Sequence, residues 1–184
     1  MSSSTRSLTR SALVALALAL ASPALADVPP HVGRALGDAR AAGSGRLTWF
    51  GLHVYDARLY VPAGGIDPRR YAEHPFALEL TYARTLAGRA IAERSSAEIA
   101  RLGLGTEVQR ARWLQAMTAL FPDVRSGQRL AGVHVPLRGT EFYLDGRLLG
   151  RIDDPAFGTA FFAIWLDART VAPDLRASLL KQAL

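Results

Sequence analysis

The sequence predicts an α+β fold, an antiparallel β-sheet with helices packed on one face. Three observations carry that expectation. Candidate elements run as strands, helices, strands and helices, without the strict alternation of a parallel nucleotide-binding sheet. Phe76 to Arg84 alternates with period two: Phe76, Leu78, Leu80, Tyr82 and Arg84 share one face, and Ala77, Glu79, Thr81 and Ala83 the other. Asp145-Gly146 is a two-residue hairpin signal, because both central residues of such a turn need positive φ.

The first segment has a polar stretch with Arg6 and Arg10, an apolar run from Ala12 to Ala21, the helix-breaking Ser22-Pro23, and the small-x-small Ala24-Leu25-Ala26. This pattern predicts a cleavable export signal over residues 1–26, with a mature chain from Asp27 that is periplasmic or secreted. The apolar run is shorter than the roughly 20 residues a membrane span needs, and no later segment is long and apolar enough. Residues 27–184 read as one domain, since about 150 residues can bury roughly two-thirds of their unfolded surface.

Asp27 to Gly45 is rich in Ala, Gly and Pro and reads as an irregular lead-in with a short helix from His31 to Ala42. Strands follow over Arg46 to Phe50 and Leu52 to Val61, closed by Pro62-Ala63-Gly64-Gly65. After the Phe76 to Arg84 strand, Thr85 is the expected cap of a helix from Leu86 to Leu102, ended by Gly103 and Gly105. Thr106 to Gln109 has the Thr-x-x-Gln form of a capping box. It opens a helix to Phe121 whose stripe of Val108, Ala111, Leu114, Met117 and Phe121 is read as core. Strands are expected over Gln128 to Leu137, Thr140 to Leu144 and Arg147 to Ile152. Asp154-Pro155 then starts the helix Ala156 to Leu166, with Phe157, Phe161, Phe162 and Trp165, and Pro173 opens a last helix through Leu175, Leu179 and Leu180.

Basic residues number 22 and acidic residues 16, for a net charge of +6. The excess is scattered arginine, with Lys181 the only lysine, and forms no basic stripe with interleaved aromatics, so no nucleic-acid partner is expected. Cysteine is absent, which excludes thiol catalysis and thiolate zinc sites. His53, His74 and His134 lack metal-ligand spacing, no Gly-x-Ser-x-Gly elbow or glycine-rich phosphate loop occurs, and Asp153-Asp154 reads as helix capping. No cofactor and no metal are expected.

Gly43-Ser44-Gly45-Arg46, the strand Gly51 to Tyr60, Leu78 to Arg84, the hairpin Gly139 to Gly146 and Phe161 to Leu166 occur in an order that resembles the chalcone isomerase-like proteins, in particular their exported bacterial branch. The resemblance spans roughly Gly43 to Leu180. It implies an open-faced sandwich with a ligand cleft between sheet and helices. Plant members of that family close a chalcone to a flavanone, whereas relatives bind fatty acids, so the fold alone does not choose between catalysis and binding.

The resemblance also implies site residues. Arg46 is placed like the family's first-strand arginine, which holds an anionic ligand oxygen, and Tyr55 like its second-strand partner. A guanidinium fork suits a carboxylate or phenolate. A one-residue slip in register would turn Arg46 to the other face and make it a surface arginine, and Tyr55 also reads as a core tyrosine. Tyr82 and Arg84 form a second pair, with Arg84 at the rim of the sheet or in a pocket. The first expectation is a binding protein for a small apolar acid, such as a fatty acid or aromatic carboxylate. The alternatives are an intramolecular lyase acting on a chalcone-like ketone, although Tyr55 stands where the plant enzymes have threonine, and an envelope protein-interaction module with partners unknown.

Overall fold

The computed structural model describes residues 28–184. The expected export signal lies outside the described residues. Helix α1 (Pro30–Leu36) precedes β1 (Ala39–Trp49), β2 (Leu52–Pro62) and β3 (Phe76–Tyr82). Helices α2 (Gly88–Arg101) and α3 (Glu107–Leu120) come next, then β4 (Arg129–Val135), β5 (Gly139–Leu144), β6 (Arg147–Ile152), α4 (Pro155–Leu166) and α5 (Pro173–Leu179). The six strands pair in chain order and antiparallel throughout. This is the α+β sheet-and-helix architecture the sequence predicts.

The even face of β3 is the inner wall of the core: Phe76, Leu78, Leu80 and Tyr82 are all buried. Aromatic residues of α4 interlock with the sheet, Phe162 standing edge-on to Phe76 with ring centroids 4.8 Å apart, and Phe161 edge-on to Phe142 at 5.3 Å. Such pairs add about 0.5–1.5 kcal/mol beyond the area they bury. The odd face of β3 is also covered. Ala77 packs beneath α1 with Val32, Tyr60, Ala131, Val133 and Tyr143, and Glu79 is buried on the same side.

Three expected boundaries shift. The first helix ends at Leu36, not Ala42, because Gly37 takes φ 71° and turns the chain into β1. The glycine-rich run expected as lead-in is strand: a Cβ on Gly43 would lie 2.1 Å from the Ser178 carbonyl oxygen, so glycine there lets α5 lie directly on β1. Thr85 does not cap α2. Leu86 pairs with Val124 in a short bridge, and the carboxylate of Asp123 accepts a 2.9 Å hydrogen bond from the Gly88 N–H at the helix start.

The Thr106/Gln109 capping box is present, with bonds of 2.8 and 3.2 Å. The buried side of α3 differs from the expected stripe: it is centred on Trp113 and Met117, and Val108 is exposed. Trp113 Nε1 donates to Asp154 at 2.7 Å, which fastens that side of the helix to the start of α4. Asp154 also caps α4, accepting from the Ala156 N–H at 2.9 Å.

Candidate functional site

A cleft of about 680 Å³ opens between one end of the sheet and the helices. Leu80, Tyr82 and Leu130 supply its sheet wall, Ile91, Arg94, Ser95 and Glu98 of α2 one helical wall, and Phe161, Ile164 and Trp165 of α4 the other. Alternation in β2 and β3 aims Tyr55 and Tyr82, which are paired across the two strands, into this space.

The tyrosines form its polar end. Their rings stand edge-to-face at 5.9 Å. The Trp165 indole N–H donates to the Tyr55 hydroxyl oxygen at 2.9 Å, which leaves the Tyr55 hydrogen available to an acceptor. Burial pushes the Tyr55 hydroxyl pKa up to about 12, and burial likewise raises that of Tyr82, so both are neutral donors at ordinary pH.

Arg94 is the arginine on the α2 wall of the cleft, which Arg46 and Arg84 also border. It meets Glu98 at 2.5 Å, and Glu98, only 5% exposed, also takes the Arg101 Nε at 2.7 Å. Two guanidiniums on one carboxylate leave a net positive charge there, and Arg94 is close enough to lower the Tyr55 pKa electrostatically. Its guanidinium also lies 5.0 Å from the centre of the Trp49 ring.

The structure does not bring Arg46 and Tyr55 together. Leu47 is the residue opposite Tyr55, and Arg46 stands opposite Asp56, so the two side chains leave opposite faces of the sheet. Arg46 borders the cleft mouth, but its side chain is 61% exposed and its Nε donates to Asp56 at 2.9 Å, holding that carboxyl below its usual range. Tyr82 and Arg84 do border one cleft, Tyr82 inside and Arg84 exposed at its rim. Sequence reasoning missed Arg94, Glu98 and Trp165. The available signal was the helical spacing of Ile91, Ser95, Glu98 and Leu102, which sets a carboxylate and a hydroxyl on the side of α2 that faces the core.

Among the described residues, no group of three or more His, Asp or Glu side chains could hold a metal ion. His134 is buried against Phe76 and Phe162, bonded through Nε2 to the Ala72 carbonyl at 3.0 Å.

The model of the chalcone isomerase-like family matches residues 41–181, which contain the whole sheet apart from the first residues of β1. The chain belongs to the chalcone isomerase-like family. A Haemophilus influenzae protein described as uncharacterized is 30% identical to this chalcone isomerase-like chain over 138 residues, 75% of the chain and 66% of that relative. The chain therefore spans slightly less than two-thirds of the relative's length. The crystal structure of a fatty-acid binding protein from Arabidopsis thaliana superposes with a TM-score of 0.62 at 15% identity, covering 85% of this chain and 96% of the other. That likeness is one of fold, and it agrees with the six-stranded antiparallel sheet and its helices.

Proposed function

We propose that this chalcone isomerase-like protein binds a small apolar acid, fatty acid-like or an aromatic carboxylate, and releases it unchanged. The observation that carries the reading is the composition of the cleft: apolar walls ending at two neutral tyrosine donors beside Arg94. Its volume of about 680 Å³ falls in the range of roughly 300–1,000 Å³ usual for small-molecule sites. The ligand's body would lie against Leu80, Leu130 and Phe161 while its carboxylate accepts from the tyrosines and pairs with Arg94. The fatty-acid binding protein of similar fold supports the same class of ligand.

The test is direct. Solvent extraction of purified protein followed by mass spectrometry is expected to release an apolar acid, and a fluorescent fatty acid is expected to bind and be displaced by unlabelled acid. Protein that is empty and ignores the probe overturns the reading.

One observation favours a second reading, an intramolecular lyase. The Tyr55 hydroxyl, oriented by Trp165, has a hydrogen to offer a developing enolate oxygen. Chalcone consumption above the uncatalysed rate, lost in Tyr55→Phe, would establish it.

We also propose that the protein is exported, on the strength of the three-part pattern over residues 1–26. Terminal sequencing of protein recovered from the periplasm is expected to begin at Asp27, and a chain still beginning at Met1 would overturn this.

A further inference from the structure

Two hairpin turns of the sheet share one backbone geometry and differ in residue. At Asp145-Gly146 the φ angles are 48° and 82°, and at Phe50-Gly51 they are 47° and 76°. Aspartate tolerates the left-handed region that this turn demands, whereas a bulky aromatic residue is an outlier there. Burial does not offset the cost, because Phe50 is 90% exposed. Its neighbours Trp49 and Leu52 are also exposed, and all three border the cleft mouth. An unfavourable backbone position that holds an apolar side chain in water points to a use for that side chain.

We propose that the tip of the β1–β2 hairpin, with Trp49, Phe50 and Leu52, docks on an anionic lipid bilayer and holds the cleft mouth against it. Docking stands on the tip itself. That the bilayer is the source or destination of the cleft's ligand rests on the apolar-acid reading given above. Trp49 has the amphipathic ring that settles at headgroup depth, and Phe50 and Leu52 suit the acyl boundary beneath.

Charge selects the kind of bilayer. Arg46, Arg84 and Arg94 all reach the mouth, and Arg84 makes no ion pair among the described residues. Of the acids nearby, Asp56 is held by Arg46, and Glu98 by Arg94 and Arg101, which leaves Asp174 at the mouth. Basic residues stay in excess over acidic ones without Arg6 and Arg10, the sign an anionic surface attracts. The cation–π contact of Arg94 with Trp49 ties the tip to α2, so the apolar side chains and the cleft entrance face the same surface.

Phe50→Asn separates docking from folding. Asn-Gly is a favoured pair for this turn, so the variant is expected to keep or raise its melting temperature. Wild-type protein is expected to float with vesicles of mixed phosphatidylcholine and phosphatidylglycerol, more than with phosphatidylcholine alone. Phe50→Asn should bind the mixed vesicles roughly tenfold more weakly or worse, the size expected from withholding one phenylalanine from an apolar phase. Docking is overturned if wild-type protein stays off the mixed vesicles, if Phe50→Asn floats equally well, or if the tip instead forms a dimer in buffer that Phe50→Asn abolishes. Binding of a fluorescent fatty acid by wild-type protein in buffer, without vesicles, is read separately. Its failure with docking intact would overturn the ligand reading alone.

Discussion

At the scale of single residues, one pair of arginines decides how the site is understood. Arg46 occupies the sequence position that family resemblance favours, and Arg94 lines the same cleft as Tyr55 from α2. A charged hydrogen bond is worth about 1.5–3 kcal/mol, so Arg94→Ala should weaken binding of an apolar carboxylate roughly tenfold to a hundredfold. Arg46→Ala should change it little, and the methyl ester of the same acid should not distinguish Arg94→Ala from wild type. Isothermal titration would report all three. Glu79 makes a second prediction. Burial raises its pKa against the opposing pull of Arg129 and Arg58. A carboxyl with a raised folded-state pKa binds its proton more tightly folded than unfolded, so its contribution is present below the unfolded value of about 4.3 and is lost as pH rises through the folded value. Glu79→Gln should therefore be more stable relative to wild type at pH 7 than at pH 4, as read by denaturant unfolding at both.

At the scale of elements, close approach governs what can change. A Cβ at Gly43 would strike the carbonyl oxygens of Ser178 and Leu179, at 2.1 and 2.6 Å, and backbone cannot yield as a side-chain tip can. Gly43→Ala should lower the unfolding free energy by about 1–3 kcal/mol, in the range of overpacked sites, with the loss appearing first as faster amide exchange in α5. Gly33→Ala in α1 meets nothing within 4 Å and is expected to be neutral or slightly stabilising. These positions also show why some elements were legible and others were not. Period-two alternation, the Thr106/Gln109 box and the Asp154 cap are local signals, and each gave an element close to its observed bounds. Gly43 and Gly45 looked like loop because a glycine that admits a helix and a glycine that frees the chain are the same letter. Thr85 resembled a cap, but the bridge from Leu86 to Val124, almost forty residues along, claimed the backbone it needed.

At the scale of the molecule, ligand and fold should be coupled, because the cleft lies between the sheet and the helices that cover it. A ligand bound only by the folded chain stabilises it by about 2.7 kcal/mol at a hundredfold excess over Kd. A thermal melt with the displacing acid should rise accordingly, and a neutral hydrocarbon of the same length should raise it less. The sequence by itself determined the α+β class and the succession of strands and helices, which follow from local periodicity, capping and turn chemistry, while the order of its motifs carried the family resemblance that made Tyr55 a cleft candidate, with Tyr82 beside it on β3's alternation. Only the tertiary structure decided where the arginines stand around them. The bulge at Val54 of β2, opposite the step from Leu47 to Thr48, and the pairing of Leu47 with Tyr55 set the register that turns Arg46 away, while the packing of α2 over the sheet brings in Arg94 from a distant stretch of chain. Register and packing are relations between segments, and a pattern read within one segment does not contain them.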